Sequence, residues 1–480
     1  MVSKEDTCSL GLAVEQSPVV IPDVTVKELL DAIPSHCFER STFKSSLYLW
    51  APELISLDIL YFDYKIIVEP SISAHPRDYL HRFAQYALWS IYGFWAGLFM
   101  TGLWIIAHEC GHHAFSPSNS ISDSVGWVLH SSTDFDSLGV PYFSWRITHA
   151  QHHASAGHMT RDQVHVPFTR SDFGLAPFDR SRGDILGSYV TNEMMKELWE
   201  VMGDTPITAL IRGGAFLLSA MPLYLTINFH GQTHYPKWTN HFDPNAVMFK
   251  PHQFRQIIWS NIGIALWLAA LTTWACKRGV WEVLSVYGIP YLWTNHWIVL
   301  LTFLQHTDPM LPRYRGSEFT FARGALATYD RSLLGDCGKL MAWIGAHATH
   351  GNCENHVLHH VSSKIPHYNA WEASVALKKF LQSRGIQSDG LPVGWAEGLH
   401  VFRECKFVED EGDIVFYKNS QGIALAQPML NGEDTCDKIT MAGKPGRQPS
   451  EYISSKYFVG AVNAKLQTND EHEYWVLELE

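Results

Sequence analysis

The chain has 480 residues, enough for one large domain or several small ones, and a formal net charge of −12. This acidic balance gives no electrostatic reason to expect a nucleic-acid partner, and we predict none. The composition includes 26 histidines, 18 Trp, 19 Tyr and 25 Phe. Imidazole and aromatic rings in these numbers suit a metal protein in contact with a membrane, although scattered surface histidines would give the same totals.

The N-terminal residues 1–45 begin with a polar stretch that lacks the apolar core of a cleaved signal peptide, and we predict a cytosolic segment there. The eight cysteines form no C-x-x-C pair and are expected to be reduced thiols. Residues 46–68 are ambiguous. They are rich in Leu, Ile and Tyr, but they also carry Glu53, Asp58, Asp63 and Lys65, each expensive at the centre of a bilayer.

Long apolar stretches predict a mainly α, polytopic membrane protein with about four transmembrane helices. Residues 83–107 hold no charged side chain, and at about 1.5 Å per residue such a helix crosses a hydrocarbon core of roughly 30 Å. Residues 257–276 and 282–304 are predicted as a hairpin of two further spans around Lys277, Arg278 and Gly279. The alternative is a large soluble helical protein with buried core helices, which a mean hydropathy of −0.07 would allow.

Residues 207–227 are apolar but include Arg212 and Pro222, and we expect a surface-lying or half-buried helix there. Further along, residues 407–419 predict a short hairpin with its turn near Gly412. A polar tail follows at 426–480, so the membrane domain is predicted to span 46–425.

Three histidine boxes share a helical spacing. Residues three and four apart lie on one face of a helix with Cβ atoms about 5–6 Å apart, so each box can direct two or three imidazoles toward a common point. The first box directly follows the apolar stretch 83–107. The boxes are His108, His112 and His113; His149, His152 and His153; and His356, His359 and His360.

The first box by itself fits the zinc-protease pattern H-E-x-x-H, with Glu109 as general base. A catalytic zinc site needs three protein ligands and one open position. Eight helically spaced histidines exceed that need and suit two metal ions, and imidazole ligands suit iron, copper or zinc. The count therefore disfavours a protease.

Topology provides a second test of the metal hypothesis. No predicted span separates the first two boxes, and the spans 257–276 and 282–304 return the chain to the same side before the third box. All three boxes can then meet in one histidine-rich cap on the cytosolic side. A crossing at 207–227 would place the third box on the opposite side, which is the reason for the surface placement of that helix.

The boxes stand among further distinctive strings, and their order and intervals resemble those of the membrane-bound fatty acyl desaturases. The resemblance covers about residues 24–425 and is strongest to the fungal microsomal oleate Δ12-desaturase group and its ω3 relatives. The strings that carry it are DAIPSHCFERS (31–41), AHECGHHAFS (107–116), SWRITHAQHHASAGHMTRDQVHVP (144–167), FLQHTDP (303–309), ATYDRS (327–332) and NHVLHHVSSKIPHYNAWEA (355–373).

The resemblance implies two non-haem iron ions that use O2 as co-substrate to place a cis double bond in a C18 acyl chain, typically converting oleate to linoleate. It also implies a multi-pass protein of the endoplasmic reticulum membrane. Glu109 then becomes a catalytic candidate that orients a ligand imidazole, and Asp162 is a similar candidate unless it caps a helix. The implied iron ligands are His108, His112, His113, His149, His152, His153, His306, His356, His359 and His360.

The implied reaction needs two electrons from outside the chain. The sequence holds no HPGG haem-binding motif and no G-x-G-x-x-G fingerprint. A separate cytochrome b5 and its NADH reductase are therefore the expected partners, beside membrane lipids and the acyl-lipid substrate.

Other outcomes stay open at the level of sequence. The same boxes serve ω3 desaturation, acetylenic bond formation, conjugation and hydroxylation, which depend on ångström-scale placement of the chain. Outside the family, the alternatives are a membrane zinc protease with one metal and a non-catalytic, desaturase-derived metal-binding protein. The acidic stretch SSTDFDSLGV (131–140), longer than is usual in this group, is expected to affect substrate access or His149.

Overall fold

The computed structural model describes residues 16–50, 79–131, 139–178, 206–430, 465–469 and 472–476. The described chain is mainly helical, as predicted. Its helices in chain order are α1 (Val26–Asp31), α2 (Thr42–Trp50), α3 (Tyr79–Gly111), α4 (Asn119–Ser131), α5 (Tyr142–Ser155), α6 (Pro206–Ile227), α7 (Phe254–Arg278), α8 (Val280–Val283), α9 (Ile289–His306), α10 (Phe321–Ala325), α11 (Lys339–Ala348), α12 (His356–Val361), α13 (His367–Ser383) and α14 (Trp395–Glu404).

Helices α3 and α9 pack side by side at the centre of the molecule, and each carries a histidine in its last turn, His108 and His306. The Thr294 hydroxyl of α9 donates to the carbonyl of Gly97 in α3 at 3.2 Å. A Cβ at Gly97 would overlap the Cβ of Trp293, so glycine allows this close approach. The contact brings two distant histidines to the same end of the bundle.

Three described helices are long and apolar enough to cross a membrane: Tyr86–Gly111, Ile207–Ile227 and Pro251–Arg278. The first and third contain the predicted spans 83–107, from residue 86 onward, and 257–276. The predicted span 282–304 is not among them, because a π-helical turn at Leu284–Gly288 divides it and the buried Asn295 and His296 lower its apolar character. The ambiguous segment 46–68 lies outside the described residues beyond Trp50, and the count of four spans stays a prediction.

Helix α6 agrees with the half-buried alternative that was expected for 207–227. It continues through Pro222, and the ring of Phe216 meets Phe303 of α9 and Phe402 of α14 at centroid distances of 5.3 and 6.3 Å. One side of α6 therefore packs against the bundle. Residues 179–205, which lead into it, lie outside the described part, so the predicted number of crossings before the third box is untested.

Helix α7 fixes the start of α5, which carries the second box. The hydroxyl of Ser260 accepts the backbone N–H groups of Phe143 and Ser144 at 2.9 and 3.1 Å. The first N–H groups of a helix have no partner within it, so this hydroxyl replaces a cap at the α5 N-terminus. The position of the second box thus depends on a neighbouring helix.

Short strands close the ends of the helical body. Strand β1 (Ser17–Val20) pairs in parallel with β4 (Ala426–Met429), and β2 (Arg313–Tyr314) pairs antiparallel with β3 (Ile414–Val415). The predicted hairpin at 407–419 is reduced to a bridge between Phe407 and Lys418, because β3 pairs with β2 instead. Gly412 does adopt the left-handed backbone of a turn, with φ 103°.

The chain divides into two compact units, Met1–Met429 and Leu430–Glu480. The four β4 residues that were assigned to the tail 426–480 therefore belong to the body. The described residues of the second unit form a hairpin of β5 (Lys465–Asn469) and β6 (His472–Val476). The segment assigned to 1–45 packs on the body as well: Arg40 donates to the carbonyl of His113 at 2.8 Å.

Candidate metal centre

The three boxes and His306 converge at one end of the bundle, as predicted. The first box occupies the last turn of α3, the second the C-terminal half of α5, the third helix α12, and His306 the end of α9. Their imidazole nitrogens form two groups, in each of which the ligand atoms lie within 4.8 Å of one another. We call them the five-histidine cluster (His108, His112, His149, His153 and His359) and the three-histidine cluster (His152, His306 and His360).

The five-histidine cluster draws on all three boxes. The Nε2 atom of His108 lies 2.8 Å from that of His149 and 3.1 Å from those of His112 and His359. His153 joins through its Nε2 atom, 3.1 Å from that of His149. Such convergence of like nitrogens is the arrangement that a cation at their centre would stabilise.

The three-histidine cluster forms around His306. Its Nε2 atom lies 3.3 Å from that of His152 and 3.0 Å from that of His356, which adjoins the cluster. The second and third boxes are therefore split, since His152 faces one cluster while its neighbours His149 and His153 face the other. In each of these two boxes, two imidazoles face one cluster and the third faces the other, which agrees with the lower limit of the two or three that were expected to meet.

Ring orientation separates histidines that face the same point from those that only stack. Ring pairs within the five-histidine cluster are crossed at 40–87°, and those within the three-histidine cluster at 71–88°. Parallel rings instead join the two clusters: His153 and His360 stack at 4.1 Å with an angle of 11°. His356 crosses His306 at 75°, in keeping with a place beside the three-histidine cluster.

The donor set fits metal ions. Burial lowers the pKa of His149, His153 and His360 well below the ordinary value, and that of His359 to about 3, so these rings are neutral. Neutral imidazole is the form that binds metals, and all-nitrogen sets suit iron, copper or zinc. A neutral ring has one N–H, so several converging nitrogens cannot all satisfy one another by hydrogen bonds.

Asp162 fixes one ligand candidate. Its carboxylate lies 2.6 Å from Nδ1 of His152, and both side chains are about 2% exposed. A carboxylate accepts hydrogen bonds, so Nδ1 carries the proton and Nε2 turns its lone pair toward His306. Asp162 also accepts the backbone N–H groups of Gly157 and Val164 and thereby shapes the loop after α5.

Two predicted site residues lie elsewhere. His113 is not in either cluster: its Nε2 atom lies 2.9 Å from Asp123 and 3.3 Å from Arg146, because the chain turns there with φ 59°. Glu109 faces a small space of about 20 Å³, to which no other residue of the first box contributes. Its carboxylate accepts the backbone N–H of His367 at 3.2 Å and is 4.0 Å from Nδ1 of His359, too far to orient that ring by a direct hydrogen bond.

A cavity of about 140 Å³, which we call the main cavity, opens over both clusters. His108, His149, His152, His306 and His356 form its floor. Trp104 stacks on His108 at 5.4 Å and Trp145 on His149 at 4.6 Å. Apolar residues of α6 and α9 form the walls, among them Phe216, Met221, Ile298, Val299 and Phe303.

Sequence reasoning missed two further histidines of the main cavity, His165 and His230. His165 lies within a string that carried the resemblance, but it has no histidine three or four residues away. His230 has His234 four residues later, but the two lie in a turn region and not on a helix. The ring of His165 stacks on His306 at 5.0 Å. Burial lowers the pKa of His165 well below its ordinary value and that of His230 to about 4, so both are neutral.

Comparison with known proteins identifies the class that this fold and site define. Residues 85–388 match the family model described as fatty acid desaturase, and the chain belongs to this family. It is 39% identical over 398 residues to a Δ12 fatty acid desaturase of Mortierella isabellina, covering 83% of this chain and 91% of the relative.

Two further relatives show the range of chemistry around this chain. An oleate hydroxylase of Claviceps purpurea is 39% identical over 425 residues, covering 83% of this chain and 81% of the relative. An omega-6 fatty acid desaturase of the endoplasmic reticulum from Brassica juncea is 36% identical over 396 residues, covering 82% and 90%. The family excludes the zinc-protease interpretation of the first box.

Proposed function

We propose that this chain is an acyl-lipid Δ12 desaturase that converts oleate to linoleate. One hydrogen leaves each of two adjacent carbons, and O2, two electrons and two protons yield two waters. The observation that carries the proposal is the main cavity, whose floor is made of histidines from both clusters and whose walls are apolar. A hydrocarbon chain in it would present its carbons directly to the metal centre.

The cofactor we propose is a pair of non-haem iron ions. The five-histidine cluster would hold one, and the three-histidine cluster with His356 the other. Bound iron supplies the activation of O2 that cleavage of an unactivated C–H bond requires. His113 and Glu109 lie outside both clusters and are not among the residues that would hold the iron.

The protein's own residues position the reactants. Trp104 and Trp145 cover two ligand rings with apolar surface and separate them from water. Asp162 holds the proton on Nδ1 of His152 and thus sets the direction of its lone pair. The rings of Phe216 and Phe303, 5.3 Å apart, narrow the space between α6 and α9, where the acyl chain would lie.

The proposed setting is the endoplasmic reticulum membrane, with both clusters facing the cytosol. The three apolar helices and the organelle in the name of the Brassica relative support it. Cytochrome b5 and its NADH reductase would deliver the two electrons, because the reaction needs a reductant and the sequence holds neither an HPGG motif nor a G-x-G-x-x-G fingerprint. Membrane lipids would supply the acyl chain.

Oleate hydroxylation is the second candidate. The Claviceps hydroxylase is as similar to this chain as the Mortierella desaturase, so overall similarity does not separate the two reactions. Both need the same metal centre and differ in the placement of the chain.

Expression in yeast tests both candidates. We expect a new C18 dienoic acid with its second double bond at carbon 12, found by gas chromatography–mass spectrometry with double-bond localisation. The product should disappear in His152→Ala and persist in His113→Ala, a matched control outside the clusters. A hydroxylated C18 acid in its place would establish the second candidate. No new lipid from a well-expressed, iron-loaded protein would contradict both.

A further inference from the structure

His165 and His230 stand out in the main cavity because they are polar and lie beside, not within, the two clusters. Both line the main cavity, and the ring of His165 lies 5.0 Å from that of His306. Neither side chain has a hydrogen-bond partner among the described residues. Their other neighbours are aromatic, since His230 is surrounded by Phe168, Phe216 and Phe229 at centroid distances of 5.5, 5.3 and 4.4 Å.

Ring geometry separates His165 from the metal ligands. An imidazole binds a metal in the plane of its ring, along the nitrogen lone pair. His165 lies nearly parallel to His306, at 21° and a centroid distance of 5.0 Å, so an ion in the plane of one ring lies outside the plane of the other. The ligand rings that share a cluster with His306 are crossed with it at 71° and 81°. The ring of His165 is crossed with that of His152, at 62° and a centroid distance of 6.0 Å, but its nitrogens belong to neither group of converging ligand atoms. His165 therefore lies beside the metal centre and not within it.

The backbone holds both histidines in an uncommon conformation. Each has φ 57°, in the left-handed region that disfavours residues with a Cβ by roughly 1–2 kcal/mol. The two loops are joined, because the N–H of Val166 donates to the carbonyl of His230 at 3.2 Å. Strain of this kind persists where the surrounding structure enforces it, commonly at ligand sites.

We propose that His165, together with His230, forms a hydrogen-bonding subsite for an acyl chain that carries a hydroxyl group near the reacting carbons. The inference rests on the proposed function, since it assumes that the acyl chain occupies the main cavity. A plain hydrocarbon leaves a buried imidazole without a partner, which is unfavourable. A neutral imidazole offers one donor and one acceptor, and a hydroxyl group matches both.

The test is a binding comparison without turnover. Iron-loaded full-length protein, kept anaerobic and without reductant, is titrated with phosphatidylcholine carrying 12-hydroxyoleoyl or oleoyl chains, in competition with a fluorescent polyene lipid. We expect wild type to prefer the hydroxylated lipid about tenfold, the size of one buried hydrogen bond. His165→Phe should bring the ratio close to one, and His165→Asn, which keeps a donor and an acceptor, should retain most of it.

Controls separate the outcomes. His234→Phe replaces an exposed histidine outside the main cavity and should leave the preference unchanged, whereas His230→Phe should reduce it by less than His165→Phe does. Equal preference in wild type and His165→Phe would overturn the proposal, and so would loss of iron from His165→Phe, since that marks a ligand. Conversion of oleate with no preference would overturn the subsite alone, and failure of both lipids to bind would overturn the proposed function with it.

The same lipids show where the hydroxyl group comes from. Hydroxylated product from oleate in yeast would mean that the group arises in the cavity. A new double bond that appears only after 12-hydroxyoleate is fed would mean that the chain enters already hydroxylated. Either result supports the subsite if it depends on His165.

Discussion

The two histidine clusters are built from the same residue type at the same helical spacing, yet their surroundings differ. The five-histidine cluster has five nitrogens from three helices. The three-histidine cluster has three, with His356 adjoining, and adds the Asp162 carboxylate behind His152 and the free ring of His165 on the cavity side. Two metal ions bound here would therefore have unequal surroundings. The ion in the five-histidine cluster would be enclosed by ligands, whereas the ion in the three-histidine cluster would also be influenced by Asp162 and His165.

Removing one ligand from each cluster should have the largest effect and reveal this inequality. His306→Ala leaves the smaller cluster without the ring around which it forms, and we expect bound iron to fall from about two equivalents to one and activity to below about 1%. His112→Ala leaves four nitrogens in the larger cluster, and iron should stay above one equivalent. Plasma mass spectrometry of the purified proteins measures both; equal loss from the two variants would contradict the inequality.

Asp162 offers a smaller perturbation confined to one cluster. Asp162→Ala frees the tautomer of His152, and outer partners of this kind contribute about 10- to 100-fold in metal affinity. Asp162→Asn keeps an acceptor oxygen and should lie between the alanine variant and wild type. Iron retained against a graded chelator reports the effect, and the idea fails if both variants hold two irons as tightly as wild type.

Substitution of Gly97 tests whether both clusters depend on the close packing of α3 against α9. Gly97→Leu forces α3 and α9 apart, because even a Cβ would overlap Trp293. We expect a loss of about 1–3 kcal/mol in stability and a weakening of both clusters together, since His108 and His306 end these helices. Thermal unfolding and iron content would be measured side by side. Gly213→Leu, on α6 where a Cβ meets nothing within 4 Å, is the matched control.

Low pH should lower the stability of the protein through His241, which lies on the same side as the five-histidine cluster. Its Nε2 atom lies 3.0 Å from the Thr148 hydroxyl, and burial lowers its pKa to about 4. The unfolded chain, with a pKa near 6.5, binds more protons below that value, so stability present above pH 6.5 is lost as pH falls toward 4. The loss by pH 5 is up to about 2 kcal/mol.

The measurement is thermal unfolding of the iron-free protein at pH 7.5, 6 and 5. Other groups also titrate in this range, so the informative quantity is the difference between wild type and His241→Gln. We expect a smaller loss in the variant. Parallel curves would show that His241 does not contribute.

Sequence predicted the elements of this site better than its internal arrangement. The boxes, their convergence and His306 followed from helical spacing, apolar stretches and resemblance. Spacing alone could not predict how His149, His152 and His153 divide between the two clusters. On a helix, the residues three and four positions after His149 lie on either side of the line that runs through His149 parallel to the helix axis. Which side faces which metal depends on α9 and α12, which are distant in the chain.

The sequence also could not place residues whose role depends on a turn. His113 continues the first box in sequence but leaves the helix with a positive φ and pairs with Asp123. His165 has no periodic partner and reaches the cavity through a loop. Similarly, Arg212 and Pro222 left a surface-lying and a half-buried placement open for α6, and its contacts with α9 and α14 support the second.

The parallel pairing of β1 with β4 has a consequence for biosynthesis. Ser17 lies opposite Ala426, so a strand made at the start of translation acquires its partner only when the last strand of the body emerges. A message truncated before codon 426 would encode every histidine of both clusters and still leave the first strand without its neighbour. Such a product would be a substrate for quality control in the membrane where it is made.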